Sequence, residues 1–153
     1  MVLFEDTRNQ IGKHFNIAEY CRNNEITLVR QALYVGDYQL SGQGHISVDT
    51  KMSVRELAMD CFQDHERFRS ECIRAKEADI QLIVLTEEEL PNGCLADWRP
   101  PFGKDGLPTA KFKPETLRKV LVRMQEEYGV KFRFCNKRDT GKILMEYLRG
   151  ERT

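Results

Sequence analysis

The run Ile80-Gln81-Leu82-Ile83-Val84-Leu85-Thr86 constrains this chain more than any other stretch. It is apolar, rich in branched side chains, short and flanked by turn signals, which is the pattern of a strand buried on both faces. Such a strand has to be covered above and below, and the segments on either side can do so. Met1–Phe4 and Ile26–Arg30 read as strands, and residues 15–24 read as a helix stopped by Asn23-Asn24. Ser53-Val54-Arg55-Glu56 matches a capping box and opens a helix through about Phe62. Asp64 caps a longer helix that carries Phe68, Cys72 and Ile73 on one side. Pro114 suits the first position of a helix that reaches Tyr128 and ends at Gly129. Val130–Phe134 alternates as a strand, and Thr140–Leu148 forms a last helix. Strands alternating with helices give the α/β class, with a mixed central sheet flanked by helices.

Between the central strand and the Pro114 helix, residues 91–114 hold all five prolines and the only tryptophan. A loop this long in a compact domain is either functional or mobile. Within it, Trp98 and Phe102 either stack on unpaired bases or pin the loop to the domain.

No run approaches the roughly 18 apolar residues of a membrane helix, and the N-terminus turns acidic at Glu5-Asp6, too soon for a secretory signal. The five cysteines are scattered without a CxxC pair, which suggests reduced thiols in a cytoplasmic protein, nucleoid-associated if bacterial or phage. The formal net charge is zero, but residues 1–98 hold 10 Lys/Arg against 17 Asp/Glu, and residues 99–153 hold 14 against 7. A polyanion would be drawn to the basic half while the acidic half holds metal; a mixed, solvated surface is the plainer alternative.

The chemistry concentrates in residues 36–51. Two short strands are joined by Ser41-Gly42-Gln43-Gly44, a hairpin composition. Alternation puts Asp49 and Lys51 on one face and Thr50 on the other. If the turn centres on Gln43, Asp37 lies opposite Asp49, and two facing carboxylates repel unless a cation sits between them. Such a cation serves phosphodiester hydrolysis, because hard divalent ions neutralise phosphoryl charge, make water nucleophilic and stabilise the leaving oxygen. Asp37 and Asp49 are therefore candidate ligands of Mg²⁺ or Mn²⁺, with the Thr50 backbone carbonyl beside them. Lys51 would orient the attacking water, Asp6 could serve as an outer ligand, and Arg8 could meet a phosphate oxygen. The alternative is a set of solvated strand-end charges, since an acid-x-Lys triplet is common.

Asp6-Thr7-Arg8, Leu33 to Tyr38, Ile46 to Lys51 and Arg67 to Cys72 follow one another in an order that resembles the XPF-type nuclease domain of the PD-(D/E)XK superfamily. The resemblance continues through the apolar strand into the last strand and helix and omits only the 91–114 loop. It implies a restriction-endonuclease-like core over residues 1–153, without helix-hairpin-helix or helicase parts. It also implies a catalytic set of Asp6, Asp37, Asp49 and Lys51. The family's pattern carries Glu where this chain has Asp49, Arg where it has Thr50, and an acid where it has Arg55, with Glu56 next door. The family's dimerisation surface falls on the last strand and helix, where Ile143, Leu144, Tyr147 and Leu148 make a stripe that is either core or interface.

The implied activity is metal-dependent DNA endonuclease action on branched or flap DNA, with a homodimer through the C-terminal strand and helix. The alternative is a weak or inactive DNA-binding or partner subunit on the same fold. Arg67 and Arg74, seven apart on one helix face, are candidates to reach the substrate. Lys111 and Lys113 begin a basic run that tracks a phosphate backbone or forms a solvated face. His14, His45 and His65 share no ligand spacing; for His45 an exposed turn position is favoured over a general base.

Overall fold

Along the chain the elements are β1 (Val2–Glu5), α1 (Phe15–Asn23), β2 (Thr27–Arg30), β3 (Tyr38–Leu40), β4 (Gln43–Lys51), α2 (Val54–Phe62), α3 (His65–Glu77), β5 (Gln81–Thr86), α4 (Pro114–Tyr128), β6 (Lys131–Phe134) and α5 (Thr140–Leu148). They come from a computed structural model that describes residues 1–108 and 110–153. The six strands form one sheet in the order β2-β1-β3-β4-β5-β6. β3 runs antiparallel to both neighbours, and the other pairings are parallel. Among the described residues no helix is long and apolar enough to cross a membrane.

β5 explains the layering. Its side chains alternate, so Leu82 and Val84 enter one core while Ile83 and Leu85 enter the other. The first core packs α2, α3 and α4 through Leu57, Phe68 and Leu117. The second packs α1 and α5 through Ile17, Leu144 and Leu148. With Leu144, Tyr147 and Leu148 buried there, the C-terminal stripe is core.

Local chemistry sets the boundaries. The Ser53 hydroxyl oxygen accepts from Glu56 N at 3.1 Å, while the Glu56 carboxylate accepts from Met52 N at 3.0 Å, one residue earlier than a full capping box. Pro114 opens α4, and Gly129 closes it in the left-handed region at φ 72°. Asp64 occupies the N-cap position of α3, but its side chain makes no capping bond, which departs from the expected cap. Trp98 is buried, stacks on Phe112 with centroids 5.3 Å apart and donates its indole N–H to Glu88. It therefore pins the loop. Phe102 is exposed and does not.

The hairpin differs from its expected form in an instructive way. Leu40 pairs with Gln43, so the turn is Ser41-Gly42 and does not centre on Gln43. Tyr38 nevertheless pairs with Val48, because Gln39 alone faces Gly44 to Ser47 in a bulge. Asp37 lies just before β3 and outside the ladder, with its N–H donating to Val48 O, so it is not paired directly with Asp49 as a turn centred on Gln43 would have it. Gly36 is not part of the strand. It bends at φ 75°, and a Cβ there would overlap Ser47 Oγ, which donates to Val35 O at 2.6 Å.

Candidate active site

Asp49 and Lys51 leave β4 on the α2/α3 side of the sheet, and Thr50 leaves it on the other side, as strand alternation requires. Lys51 Nζ lies 2.8 Å from Asp49 Oδ2 and 2.5 Å from Asp60 Oδ2, and 5.3 Å from the centroid of the Phe68 ring. Burial opposes its charge, but Asp49 and Asp60 outweigh that and raise its pKa above the ordinary lysine value. Lys51 is thus a fixed ammonium, suited to orienting a water or steadying an anion and unsuited to accepting a proton. Asp49 Oδ2 is buried, with the Lys51 ammonium at 2.8 Å as its counter-charge.

Asp37 is held by its backbone from both sides. Its N–H donates to Val48 O at 2.9 Å, and its carbonyl accepts from Asp6 N at 2.7 Å. Its Oδ2 accepts from Thr50 N at 2.9 Å and from the Thr50 hydroxyl at 2.7 Å. Burial and then the charge of Asp49 push the Asp37 carboxyl well above the usual carboxylate range, with the Thr50 bonds and Lys51 pulling back. Glu71 on α3 joins them. Its Oε1 accepts from Gly36 N at 2.9 Å, and burial followed by the charge of Asp49 pushes its carboxyl up to about 7.

These groups line an open cleft of about 550 Å³. Arg67 and Arg74 line it from α3, and Arg74 lies over the Tyr34 ring at 5.8 Å. Asp6 and Arg8 line it too, but Asp6 Oδ2 accepts from Arg8 Nε at 2.6 Å and Asp6 Oδ1 from Leu33 N at 2.8 Å. Both oxygens of Asp6 are thereby engaged in holding the chain that leads to Gly36. The remaining cations named from the sequence lie elsewhere. Lys111 borders a separate groove beside α2, and Lys113 is the N-cap residue of α4. His45 and His65 are exposed.

Asp60, Glu71, His14 and Glu87 were not identifiable as site residues from the sequence. Glu71 alone carried a readable signal: it is four residues after Arg67 and three before Arg74, on the same helix face. Asp60 is brought to Lys51 by the packing of α2. The buried His14 meets Thr50 and Glu87 across 36 and 73 residues of sequence.

The donor set suits a hard divalent cation. Asp37 and Asp49 supply hard oxygen ligands and are kept close enough that the charge of Asp49 opposes ionisation of Asp37. Among the described residues no three or more His, Cys, Asp or Glu side chains form a ready cage.

A fold search finds XPF from Aeropyrum pernix at a TM-score of 0.69 and 16% identity, covering 99% of this chain and 65% of that one. The same protein in complex with DNA matches at 0.67 and 16%, covering 98% and 64%. The chain thus spans about two thirds of each structure it resembles. No curated protein matches it. The ERCC4 domain model matches residues 6–147, from Asp6 at the end of β1 to Tyr147 in α5. This chain belongs to the ERCC4 domain family.

Proposed function

We propose that the chain is a Mg²⁺- or Mn²⁺-dependent DNA endonuclease domain acting on branched or flap DNA. The observation that carries the reading is the unresolved charge in the cleft. Half-buried Asp37 and buried Asp49 lie beside a fixed ammonium, and burial with the charge of Asp49 still holds the Asp37 carboxyl well above the usual range. A protein has no structural use for that repulsion, whereas a cation relieves it. Family membership and the relative solved with DNA support the choice of DNA as substrate.

Asp37, Asp49 and the Thr50 carbonyl would hold the ion, which would supply charge neutralisation and an acidified water. Lys51, always charged, orients that water and stabilises the negative charge that develops on the phosphoryl oxygens. Arg67 and Arg74 hold the flanking phosphates. Glu71, with its carboxyl near neutral pKa, is placed to take up a proton at the cleft wall. The second copy implied by the resemblance would dock along the free edge of β6, since the apolar stripe of α5 is already spent in the core.

The test is a cleavage panel of duplex, flap, fork and four-way-junction DNA with Mn²⁺, Mg²⁺ or chelator. Metal-dependent cutting favouring a branched form is expected. Binding to the same DNA with no cutting under any metal would establish the non-catalytic subunit instead.

A further inference from the structure

We infer that His14 is a positioning residue of the cleft: with Glu87 behind it, it holds the Thr50 hydroxyl against Asp37 and so aims the Asp37 carboxylate before a cation arrives. The inference rests on the nuclease reading and deepens it.

The geometry is a single file of polar groups through the sheet end. Glu87 Oε1 is 3.1 Å from His14 Nδ1, His14 Nε2 is 3.0 Å from Thr50 Oγ1, and Thr50 Oγ1 donates to Asp37 Oδ2 at 2.7 Å. The His14 and Glu87 side chains are 1% and 0% exposed, so neither touches a substrate. The far end is anchored as well, because Glu87 Oε2 accepts from Asn16 Nδ2 at 2.9 Å and from the Thr140 hydroxyl at 2.9 Å.

The Thr50 hydroxyl lies within hydrogen-bond reach of both His14 Nε2 and Asp37 Oδ2, so the ring and the carboxyl together fix where it points. Glu87 is a carboxylate and accepts only: burial would raise its pKa, but bonds from His14, Asn16 and Thr140 lower it below the usual value. The ring is held at both nitrogens, by Glu87 on one side and Thr50 on the other, and Asp37 Oδ2 meets both the amide and the hydroxyl of Thr50. Among the described residues Asp37 Oδ1 receives none, which leaves it for a cleft ligand.

A buried network of this kind is costly. Apolar side chains of similar volume would fill the same space without burying a charge. What the polar version adds is direction, and the direction ends on a candidate ligand. Outer partners of metal-binding carboxylates have this effect in general, and losing one weakens metal binding or activity by about 10- to 100-fold.

The test compares Thr50→Val, which keeps the shape and removes the hydroxyl, with Thr50→Ser, which keeps the hydroxyl. Mn²⁺ binding is measured by calorimetry on the metal-free protein without DNA, alongside cleavage as a function of Mn²⁺ concentration. We expect Thr50→Val and, as a second variant, His14→Phe to weaken Mn²⁺ binding about 10- to 100-fold, and Thr50→Ser to stay within about 3-fold of wild type. We also expect the cleavage lost by Thr50→Val to return at saturating Mn²⁺, a recovery that loss of folding would not show. Wild-type Mn²⁺ affinity in a folded Thr50→Val or His14→Phe protein overturns the inference and leaves the nuclease reading standing. A wild-type protein that takes up no Mn²⁺ overturns both.

Discussion

The tip of β4 presents two contrasting faces. On the α2/α3 side, Asp37, Asp49, Asp60 and Glu71 crowd one ammonium, and two of these carboxyls are pushed above their ordinary range. On the α1/α5 side, Thr50, His14, Glu87 and Thr140 form a chain of paired groups, and its one carboxyl is pulled below that range. Both faces are polar, the supporting one buried and the working one half-buried at the cleft, and they are a single residue apart on the strand. The difference teaches that polarity alone does not mark a reactive site. An excess of carboxyls over cations marks the working face, and fully partnered groups mark the supporting one.

The strongest way to break this contrast is to neutralise each partner on the working face in turn. Lys51→Ala should cut cleavage by roughly 10²- to 10³-fold. It should also destabilise the protein by about 3 kcal/mol, because it strands Asp49 and Asp60 without a counter-charge. Asp37→Asn should lose cleavage as severely, yet its Tm should rise, since it removes a carboxylate that the fold resists ionising. Cleavage assays and thermal melts read both arms, and a fall in Tm for both variants would falsify the picture of stored repulsion.

A smaller effect lies in the pH dependence of the metal-free protein, where the two faces carry opposite signs. Glu71 has a folded pKa of about 7 against an ordinary 4.5. Its contribution to stability is therefore full below about 4.5 and is lost as pH rises through 7. Glu71→Gln should flatten that decline in melts across the range. Glu87 is lowered, so its contribution is present above its ordinary pKa and is lost as pH falls through the depressed value. Glu87→Gln should therefore flatten the acid limb and leave the neutral one alone. The opposite assignment of limbs to residues would reverse the comparison.

The gentlest test concerns the cations. Arg67→Ala and Arg74→Ala should each reduce the salt slope of DNA binding by about 1, and Lys111→Ala, outside the cleft, should leave it unchanged. An equal loss at Lys111 would show DNA continuing past the cleft into the groove beside α2.

Much of the fold was legible because its signals are local. Pro114 and Gly129 bound α4 by backbone geometry alone, Ser53 caps α2 through a neighbour three residues away, and β5 declares its burial in its own composition. The working face was half legible for the same reason: Asp49 and Lys51 share a strand face by a spacing of two. The supporting face was not. His14, Thr50 and Glu87 meet only after α1 and β5 have been laid against the sheet, and no spacing in the sequence records that meeting. Thr50 read as the loss of an arginine, because a hydroxyl in isolation does not show which groups it will join. Asp60 was hidden likewise, since Lys51 finds it only through the packing of α2 on β4.

The bulge between β3 and β4 has a consequence for how this hairpin can change. Gln39 alone faces Gly44 to Ser47, so the loop end and the cleft end of the ladder keep separate registers. Growth or shrinkage at Ser41-Gly42 can be absorbed before it reaches Tyr38 and Val48, as a slack link in a chain absorbs a tug. The tip is exposed, and Gly42 sits there with open space around it. It is a place where lineages, or engineers, can splice in new sequence while the pairing of Tyr38 with Val48 stays in step.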